Sequence, residues 1–430
     1  MKTVAFHTLG CKVNQVETEQ IKDELIQNGY RVIDFSQSAD LYIINTCTVT
    51  HVSDRKSRAV IRRALKANPE ATVIVTGCMA ELEPDKIAAM QGVNLVVGNR
   101  DKHRIAQIIE PLKGEARIIR EPISPQDMLA PALYHSHHER TRAFVKIQDG
   151  CQSFCTYCIV PYTRGPVRSK APDDVIREVE QLVQLGYREI VLTGIHTGQY
   201  GRSTPDWTLD GLLEKILASV PGSYRIRLSS IELGEISDRL LELIKSENRL
   251  CRHLHIPLQS GSDRVLKRMA RRYTRDEYQR RILEIAALIP GVGFAADVMV
   301  GFPGETVDDF ASTVQLLQSL PLLDLHVFKY SPRPGTPAAS YPDQIDERVK
   351  NERSKVLLSM ARQKHREFMK SMMGQVFTVL VEECESGRCK GFSDNYINIE
   401  FSSPHDLCGQ FIEVVLDGIH RNYAVARIYA

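Results

Sequence analysis

Hydrophobic and polar positions divide this chain into stretches of different rhythm. Over residues 1–112, short β-rich runs alternate with helical ones. Val4-Ala5-Phe6-His7-Thr8, Leu41-Tyr42-Ile43-Ile44 and Thr72-Val73-Ile74-Val75 read as strands, and Asn94-Leu95-Val96-Val97 as a fourth; 15–27 and the basic stretch 54–66 read as helices. That order predicts an α/β domain with an open, mostly parallel sheet and helices on both faces. Residues 113–140 lose the rhythm. Pro122, Pro125, Pro131 and the run His135-Ser136-His137-His138 mark a linker, and its histidines read as solvated loop before metal ligands.

From 141 a longer alternation sets in. Six strand candidates (143–148, 189–193, 225–229, 253–257, 294–300 and 325–330), with helices between most of them, predict an incomplete (β/α)6 barrel. An open doubly wound sheet is the alternative. A charged helix over 346–370, with an apolar stripe through Val349, Val356, Leu357, Met360 and Phe368, closes this 141–370 domain. In 371–430 β signals return at 376–381, 396–401, 410–416 and 423–428, predicting a small antiparallel β-barrel.

Charge adds little at the level of the whole chain. The formal net charge is +2 over 430 residues, so any contact with nucleic acid rests on local patches. Three basic runs qualify as phosphate contacts: Arg55, Lys56, Arg58, Arg62 and Arg63; Lys267, Arg268, Arg271, Arg272 and Arg275; and Arg164, Arg168 and Lys170. A solvated helix face is the bland reading of each. From Ser371 onward there are four Lys or Arg against eight Asp or Glu, which argues against phosphate tethering there. The N-terminus carries no signal-peptide core, and Glu17 and Glu19 do not suit a transit peptide. No run is long and apolar enough to span a bilayer, so a cytoplasmic chain is expected.

The cysteines change the picture most. A cytoplasmic chain of this size does not need disulfides, so clustered cysteines point to metal or catalysis. Cys251, Cys384, Cys389 and Cys408, outside any cluster, read as small buried hydrophobes. Cys151, Cys155 and Cys158 sit within eight residues directly after the first strand of the barrel, at the mouth where α/β barrels do chemistry. Soft thiolates select zinc or iron–sulfur clusters. A structural zinc would need a fourth ligand close by, whereas a cubane held by three cysteines keeps one iron open. Cys11, Cys47 and Cys78 follow the first, second and third strands of the N-terminal domain. Parallel strands end on one edge, so three cysteines far apart in sequence can converge there. Gly10 and Gly77 would let backbone approach a bulky group; three buried cysteines at strand ends are the alternative. Two such trios favour iron–sulfur chemistry over redox thiols.

Cys-x3-Cys-x2-Cys, with aromatic Tyr157 before the last cysteine, resembles the signature of the radical S-adenosylmethionine (SAM) superfamily. Thr8-Leu9-Gly10-Cys11-Lys12-Val13-Asn14-Gln15, Asn45-Thr46-Cys47-Thr48-Val49, Thr76-Gly77-Cys78 and Ile159-Val160-Pro161-Tyr162-Thr163-Arg164-Gly165 resemble the methylthiotransferase family. The likeness covers nearly the whole chain and ends in a TRAM-like domain. Within the family, the segments around Cys11 and Cys155 look most like enzymes acting on threonylcarbamoyladenosine in tRNA.

The resemblance implies a division of labour. Cys151, Cys155 and Cys158 would hold a SAM-binding 4Fe-4S cluster, and Cys11, Cys47 and Cys78 an auxiliary 4Fe-4S cluster carrying the sulfur. The substrate would be carbon 2 of N6-threonylcarbamoyladenosine at position 37 of the tRNA anticodon stem-loop. An electron donor such as a flavodoxin or ferredoxin would serve the first cluster, with no stable protein partner and no membrane. SAM contacts would come from Tyr157 and from barrel strand ends: Thr193, Gly194, His196, Ser229, Ser230, Glu232, Gln259 and Asp297. RNA would meet Arg164, Arg168, Lys267, Arg268 and Arg271. The Gly-Gly-Glu triplet of many radical SAM enzymes is missing after the second barrel strand. Two other readings stay open: methylthiolation of a ribosomal-protein aspartate, which the acidic terminal domain would suit, and a non-catalytic iron–sulfur or zinc RNA-binding protein.

Overall fold

The computed structural model describes residues 1–109, 116–132, 141–203 and 206–429. The histidine run at 135–138 lies outside the described residues, as do 113–115 and the rest of 133–140; the remainder of the expected linker, 116–132, is described, and its Arg117–Ile119 joins the first sheet as an edge strand. Six parallel strands form the first sheet: β1 (Thr3–Thr8), β2 (Arg31–Val32), β3 (Leu41–Thr46), β4 (Thr72–Gly77), β5 (Leu95–Val97) and β6 (Arg117–Ile119), in the order β2-β1-β3-β4-β5-β6. Helices α1 (Lys12–Gln27), α2 (His51–Ala67) and α3 (Cys78–Leu82) follow β1, β3 and β4. The middle strands are covered on both faces, which is why they read as unbroken apolar runs. Tyr42, Ile44, Val73 and Val75 pack toward α2, and Leu41, Ile43 and Ile74 toward α1. The edge strands β2 and β6 escaped the sequence reading because they are two and three residues long and mostly exposed.

The second domain holds six parallel strands: β7 (Arg142–Lys146), then, past the small hairpin of β8 (Gln148–Asp149) and β9 (Arg168–Ser169), β10 (Glu189–Thr193), β11 (Arg225–Leu228), β12 (His253–His255), β13 (Gly293–Val300) and β14 (Leu322–Lys329). They pair as β11-β10-β7 and β12-β13-β14. A bridge at Ile226–Leu250 and the bond from Ile231 N to His255 O (2.9 Å) join the two halves. The sheet stays open between β14 and β7, so the barrel is incomplete, as expected. Alternate residues such as Ile190, Leu192, Ile226, Leu254, Ala296 and Val298 point out into one large core shared with the surrounding helices. The intervening positions, such as Glu189, Arg227, His255 and Asp297, therefore line the lumen. The helix Glu347–Ser371 buries Leu357 and Phe368, but Val356 of the expected stripe faces solvent and Lys350 and Arg353 are buried instead.

The terminal strands β15 (Val376–Glu385), β16 (Arg388–Ser393), β17 (Asn398–Ser402), β18 (Phe411–His420) and β19 (Tyr423–Ile428) close a barrel in the order β15-β16-β17-β19-β18. One pair, β17 with β19, is parallel, so the barrel is not wholly antiparallel. The sequence pattern missed β16 because its inward positions are Cys389, Gly391 and Ser393 rather than large apolar residues. Cys384 and Cys389 correct a second expectation: they face each other across β15 and β16 and form a disulfide. Cys408 is exposed, and Cys251 is buried as expected. This small barrel sits on the end of the larger one where the strands begin. Arg142 lies over the rings of Phe392 (4.7 Å) and Tyr396 (5.5 Å) and donates to Glu382 Oε2 (2.8 Å). Arg225 and Arg227 donate to the carbonyls of Phe392 (2.9 Å) and Asp394 (3.0 Å). No helix among the described residues is long and apolar enough to cross a membrane.

Candidate active site

The first cysteine trio stands where parallel-sheet geometry puts it. Cys11 caps α1 directly after β1, Cys47 follows β3, and Cys78 opens α3 directly after β4. These three strands are neighbours, so the side chains meet above one sheet edge. Gly10 (φ +106°) makes the meeting possible: a Cβ there would lie 3.0 Å from the Cys47 Cβ and 3.2 Å from its Sγ. Gly77 (φ +95°) packs against β3 so closely that a Cβ would fall 2.3 Å from the Thr46 carbonyl oxygen. Asn14 fixes the turn by donating to the carbonyls of Leu9 (2.7 Å) and Thr46 (3.0 Å).

The second trio lies on the loop after β8. Thr156 pins this loop: its amide donates to Met269 O (3.1 Å), its hydroxyl to Arg268 O (2.8 Å), and its carbonyl accepts from Ala338 N (2.9 Å). Phe154, between the first two cysteines, adopts a left-handed conformation (φ 46°) and is exposed. That strained position turns the loop so that Cys151, Cys155 and Cys158 share one side with the first trio. All six cysteines line a single cavity of about 290 Å³.

Two buried clamps hold the domains around that cavity. Arg164, fully buried, donates from Nη1 to Glu17 Oε1 (2.6 Å) and from Nη2 to Asn14, both on α1. Glu17 also accepts from Lys102 (2.6 Å) and Lys146 (2.9 Å). On the other side Arg333 pairs with Asp54 of α2 (2.7 Å) and donates to Thr48 Oγ1 (2.7 Å), one residue after Cys47.

The thiols respond to burial in different ways. Burial pushes Cys158 up to about 12 and raises Cys47 and Cys155. Burial also acts against Cys151, but the His196 ring (Nδ1 to Sγ, 3.4 Å) and the Ser153 amide outweigh it and lower that thiol. The other ring nitrogen of His196, Nε2, lies 2.8 Å from Glu235 Oε1. Arg271 reaches Cys155 Sγ (3.5 Å) and is ion-paired with Glu232. The raised thiols, Cys47, Cys155 and Cys158, are donors that charge as metal replaces their protons.

Of the residues expected to contact SAM, Tyr157, Gly194, His196, Ser230, Glu232 and Gln259 line the cavity. Thr193, Ser229 and Asp297 do not; Ser229 bonds Thr197 (2.7 Å), and Asp297 lies deeper in the barrel. The expected RNA contacts fare differently. Arg164 and Arg168 are buried, and Arg271 is nearly so, each against a carboxylate. Each is committed to an internal ion pair, so none of the three is the free surface cation expected, although Arg164 and Arg271 line the cavity. Arg268 pairs with Asp343 (2.8 Å), and Lys267 is exposed. The sequence reading missed Asn14, Ser153 and Arg333. Asn14 and Arg333 hold the clamps, and the polar residues beside Cys11 and Cys151 were the available signal.

Comparison with known proteins agrees with this geometry. The pattern of the Radical SAM superfamily matches residues 145–317, and that of the Uncharacterized protein family UPF0004 matches residues 3–98. The threonylcarbamoyladenosine tRNA methylthiotransferase MtaB of Bacillus subtilis (strain 168) is 43% identical over 426 residues, 96% of this chain and 93% of that protein. Its namesake in Aquifex aeolicus (strain VF5) is 38% identical over 96% of this chain and 100% of that protein. Among solved structures, the radical SAM methyltransferase TsrM from Kitasatospora setae shares the fold at 16% identity, with a TM-score of 0.60 over 79% of this chain and 75% of its own.

Fold and site thus define a radical SAM enzyme, with a half-barrel facing a second cysteine-bearing sheet. The chain belongs to the family of threonylcarbamoyladenosine tRNA methylthiotransferases, radical SAM enzymes that act on tRNA with SAM and 4Fe-4S clusters as cofactors.

Proposed function

We propose that this chain attaches a methylthio group to carbon 2 of N6-threonylcarbamoyladenosine at position 37, in the anticodon stem-loop of cytoplasmic tRNA, with electrons from a donor such as a flavodoxin or ferredoxin. One observation carries the reading: two cysteine trios, from the strand ends of two sheets, open onto one cavity. On this reading Cys151, Cys155 and Cys158 hold the SAM-binding cluster, and Cys11, Cys47 and Cys78 hold the auxiliary one. The residues suit such groups. Among the described residues no seventh cysteine lines the cavity, so each trio would leave one iron of a cubane open, and Gly10 and Gly77 keep Cβ atoms out of the space beside the first trio.

The C2 hydrogen of adenine is not acidic enough for a side-chain base to remove. Bound here, the cofactors would supply a radical for that hydrogen and the sulfur that replaces it. The chain's own residues position and shield. Arg271 balances the charge of Cys155 and Glu232, and His196 does so for Cys151. Arg164 and Arg333 fix the distance between the trios. Val49, Val160, Ile195, Ile231 and Pro257 give the cavity an apolar wall that keeps water away from a reactive species.

Nucleoside mass spectrometry of tRNA from cells with and without this protein tests the reading. A methylthio increment on threonylcarbamoyladenosine should disappear when the protein is absent; an unchanged nucleoside profile would remove the proposal.

A further inference from the structure

The lumen of the half-barrel holds a second set of donor atoms that the cysteine cavity does not use. His255 ends β12, and Pro257, two residues on, lines the cavity. At a rise of about 3.3 Å per residue, His255 lies roughly 7 Å deeper in the barrel. Asp297 on β13 and His326 on β14 stand directly opposite each other, beside it. His255 Nε2 is 2.9 Å from Asp297 Oδ1, and His326 Nδ1 is 3.1 Å from the same oxygen. All three donor atoms lie within 4.8 Å of one another.

The hydrogen bonding of this layer is incomplete. Nε2 of His255 is buried and makes no aligned hydrogen bond, although a carboxylate oxygen is 2.9 Å away. His326 Nε2 faces Asp324 Oδ2 (3.2 Å). Metal-binding histidines characteristically donate their other ring N–H to a carboxylate, which fixes the tautomer. With Nε2–H on Asp324, Nδ1 of His326 points at Asp297, and a metal ion there would take the place of the proton the two share. One oxygen then faces two ring nitrogens, an arrangement that a single cation between them satisfies. Metal–ligand bonds of about 2.0–2.2 Å set ligand atoms roughly 3.3 Å apart in a tetrahedral site, so the two short separations need open by only a few tenths of an ångström. The His326 side chain is 42% exposed on β14, the edge strand beside the opening of the barrel, which supplies an entry path.

We propose that His255, Asp297 and His326 bind one divalent transition-metal ion of the zinc class, separate from both cysteine trios, with Asp324 positioning His326. Two imidazoles and a carboxylate are a ligand set for such ions, and three protein ligands leave a coordination position for water or another oxygen donor. This site does not depend on the methylthiotransferase reading.

The test uses cluster-loaded holoenzyme stripped of loose metal with a chelator, titrated with zinc chloride, desalted, and analysed for zinc, iron and sulfide. Wild-type protein should retain one zinc per chain beyond the roughly eight irons of two cubanes. His326→Ala and Asp297→Asn should lose that zinc while iron and sulfide stay unchanged, which separates loss of the site from loss of the fold. Asp324→Asn, changing a side chain that is 46% exposed, should weaken zinc by at least about tenfold. Wild-type protein that retains no zinc, or variants that retain it undiminished, would overturn the site and leave a hydrogen-bonded ion-pair network in its place.

Discussion

Arg164 Nη1 lies 2.6 Å from Oε1 of Glu17, and the pair joins the segment that follows the second cysteine trio to the helix that begins beside the first. Both side chains are buried. Glu17 and Asp149 face Arg164, Lys102 and Lys146, so the cluster carries more positive than negative charge next to the cysteine cavity. Burial raises the Cys11 thiol, and Arg164 opposes that rise in part. Arg164→Ala leaves the buried Glu17 with Lys102 and Lys146 as its remaining cationic partners. Loss of one member of a buried pair typically costs about 3–5 kcal/mol. Chemical denaturation should show a destabilisation of that order, and iron loading should fall because the two trios are no longer held in register.

The same carboxylate predicts a pH dependence. Burial alone would raise the Glu17 carboxyl; Arg164, Lys102 and Lys146 overcome it and hold the group well below the usual carboxylate range. A carboxyl with a depressed folded pKa contributes stability that is complete above its unfolded value, about 4.3. That contribution is lost as the pH falls through the lower folded value. The denaturant midpoint should therefore owe no slope to Glu17 between pH 6 and 8 and should drop in acid. Glu17→Gln should lower the plateau and flatten the acid limb. Parallel acid limbs in the two proteins would show that Glu17 is not the titrating group.

The trios predict separable losses. Cys155→Ala should abolish reductive cleavage of SAM, read as 5′-deoxyadenosine by chromatography, because it removes a ligand of the cluster assigned to SAM. Cys47→Ala should spare cleavage and stop methylthio transfer to tRNA. Each variant should lose about four irons, the content of one cubane. Loss of cleavage in the Cys47 variant would contradict the assignment.

The cysteine-bearing strands were legible because β3 and β4 are buried on both faces and read as continuous apolar runs, with Cys47 and Cys78 directly at their ends. The roles of the arginines were not. Arg164 meets a partner 147 positions away and Arg271 one 39 positions away, and a basic run in sequence carries no sign of a distant carboxylate that buries it. The polar lumen was half legible. Arg225-Ile226-Arg227-Leu228 and His253-Leu254-His255 alternate cleanly, which marks strands with one polar face, but only the closed geometry turns that face inward. β16 stayed hidden because small residues fill its inner face: a Cβ on Gly391 would lie 2.0 Å from the Leu380 carbonyl oxygen, so no larger side chain could have announced the strand.

Glu382 of the terminal domain meets an arginine of the surface on which that domain docks. The strand-start end of the half-barrel presents Arg142, Arg225 and Arg227; Glu189 answers all three from within, and the small barrel supplies Glu382 and the carbonyls of Phe392, Ser393 and Asp394. Arg142 is the hinge of this contact, because it pairs with Glu382 and lies over two aromatic rings at once. Arg142→Ala removes the ion pair and both ring contacts. The site is partly exposed, so the cost should be nearer 2–3 kcal/mol than the larger penalty of a fully buried pair. Because the cysteine cavity lies at the opposite end of the barrel strands, both clusters should load normally in this variant. Limited proteolysis should then cut between the helix Glu347–Ser371 and β15 faster than in the wild type, while iron content and SAM cleavage stay the same. A variant that loses iron together with its terminal domain would show that docking at the base is coupled to the cavity at the top.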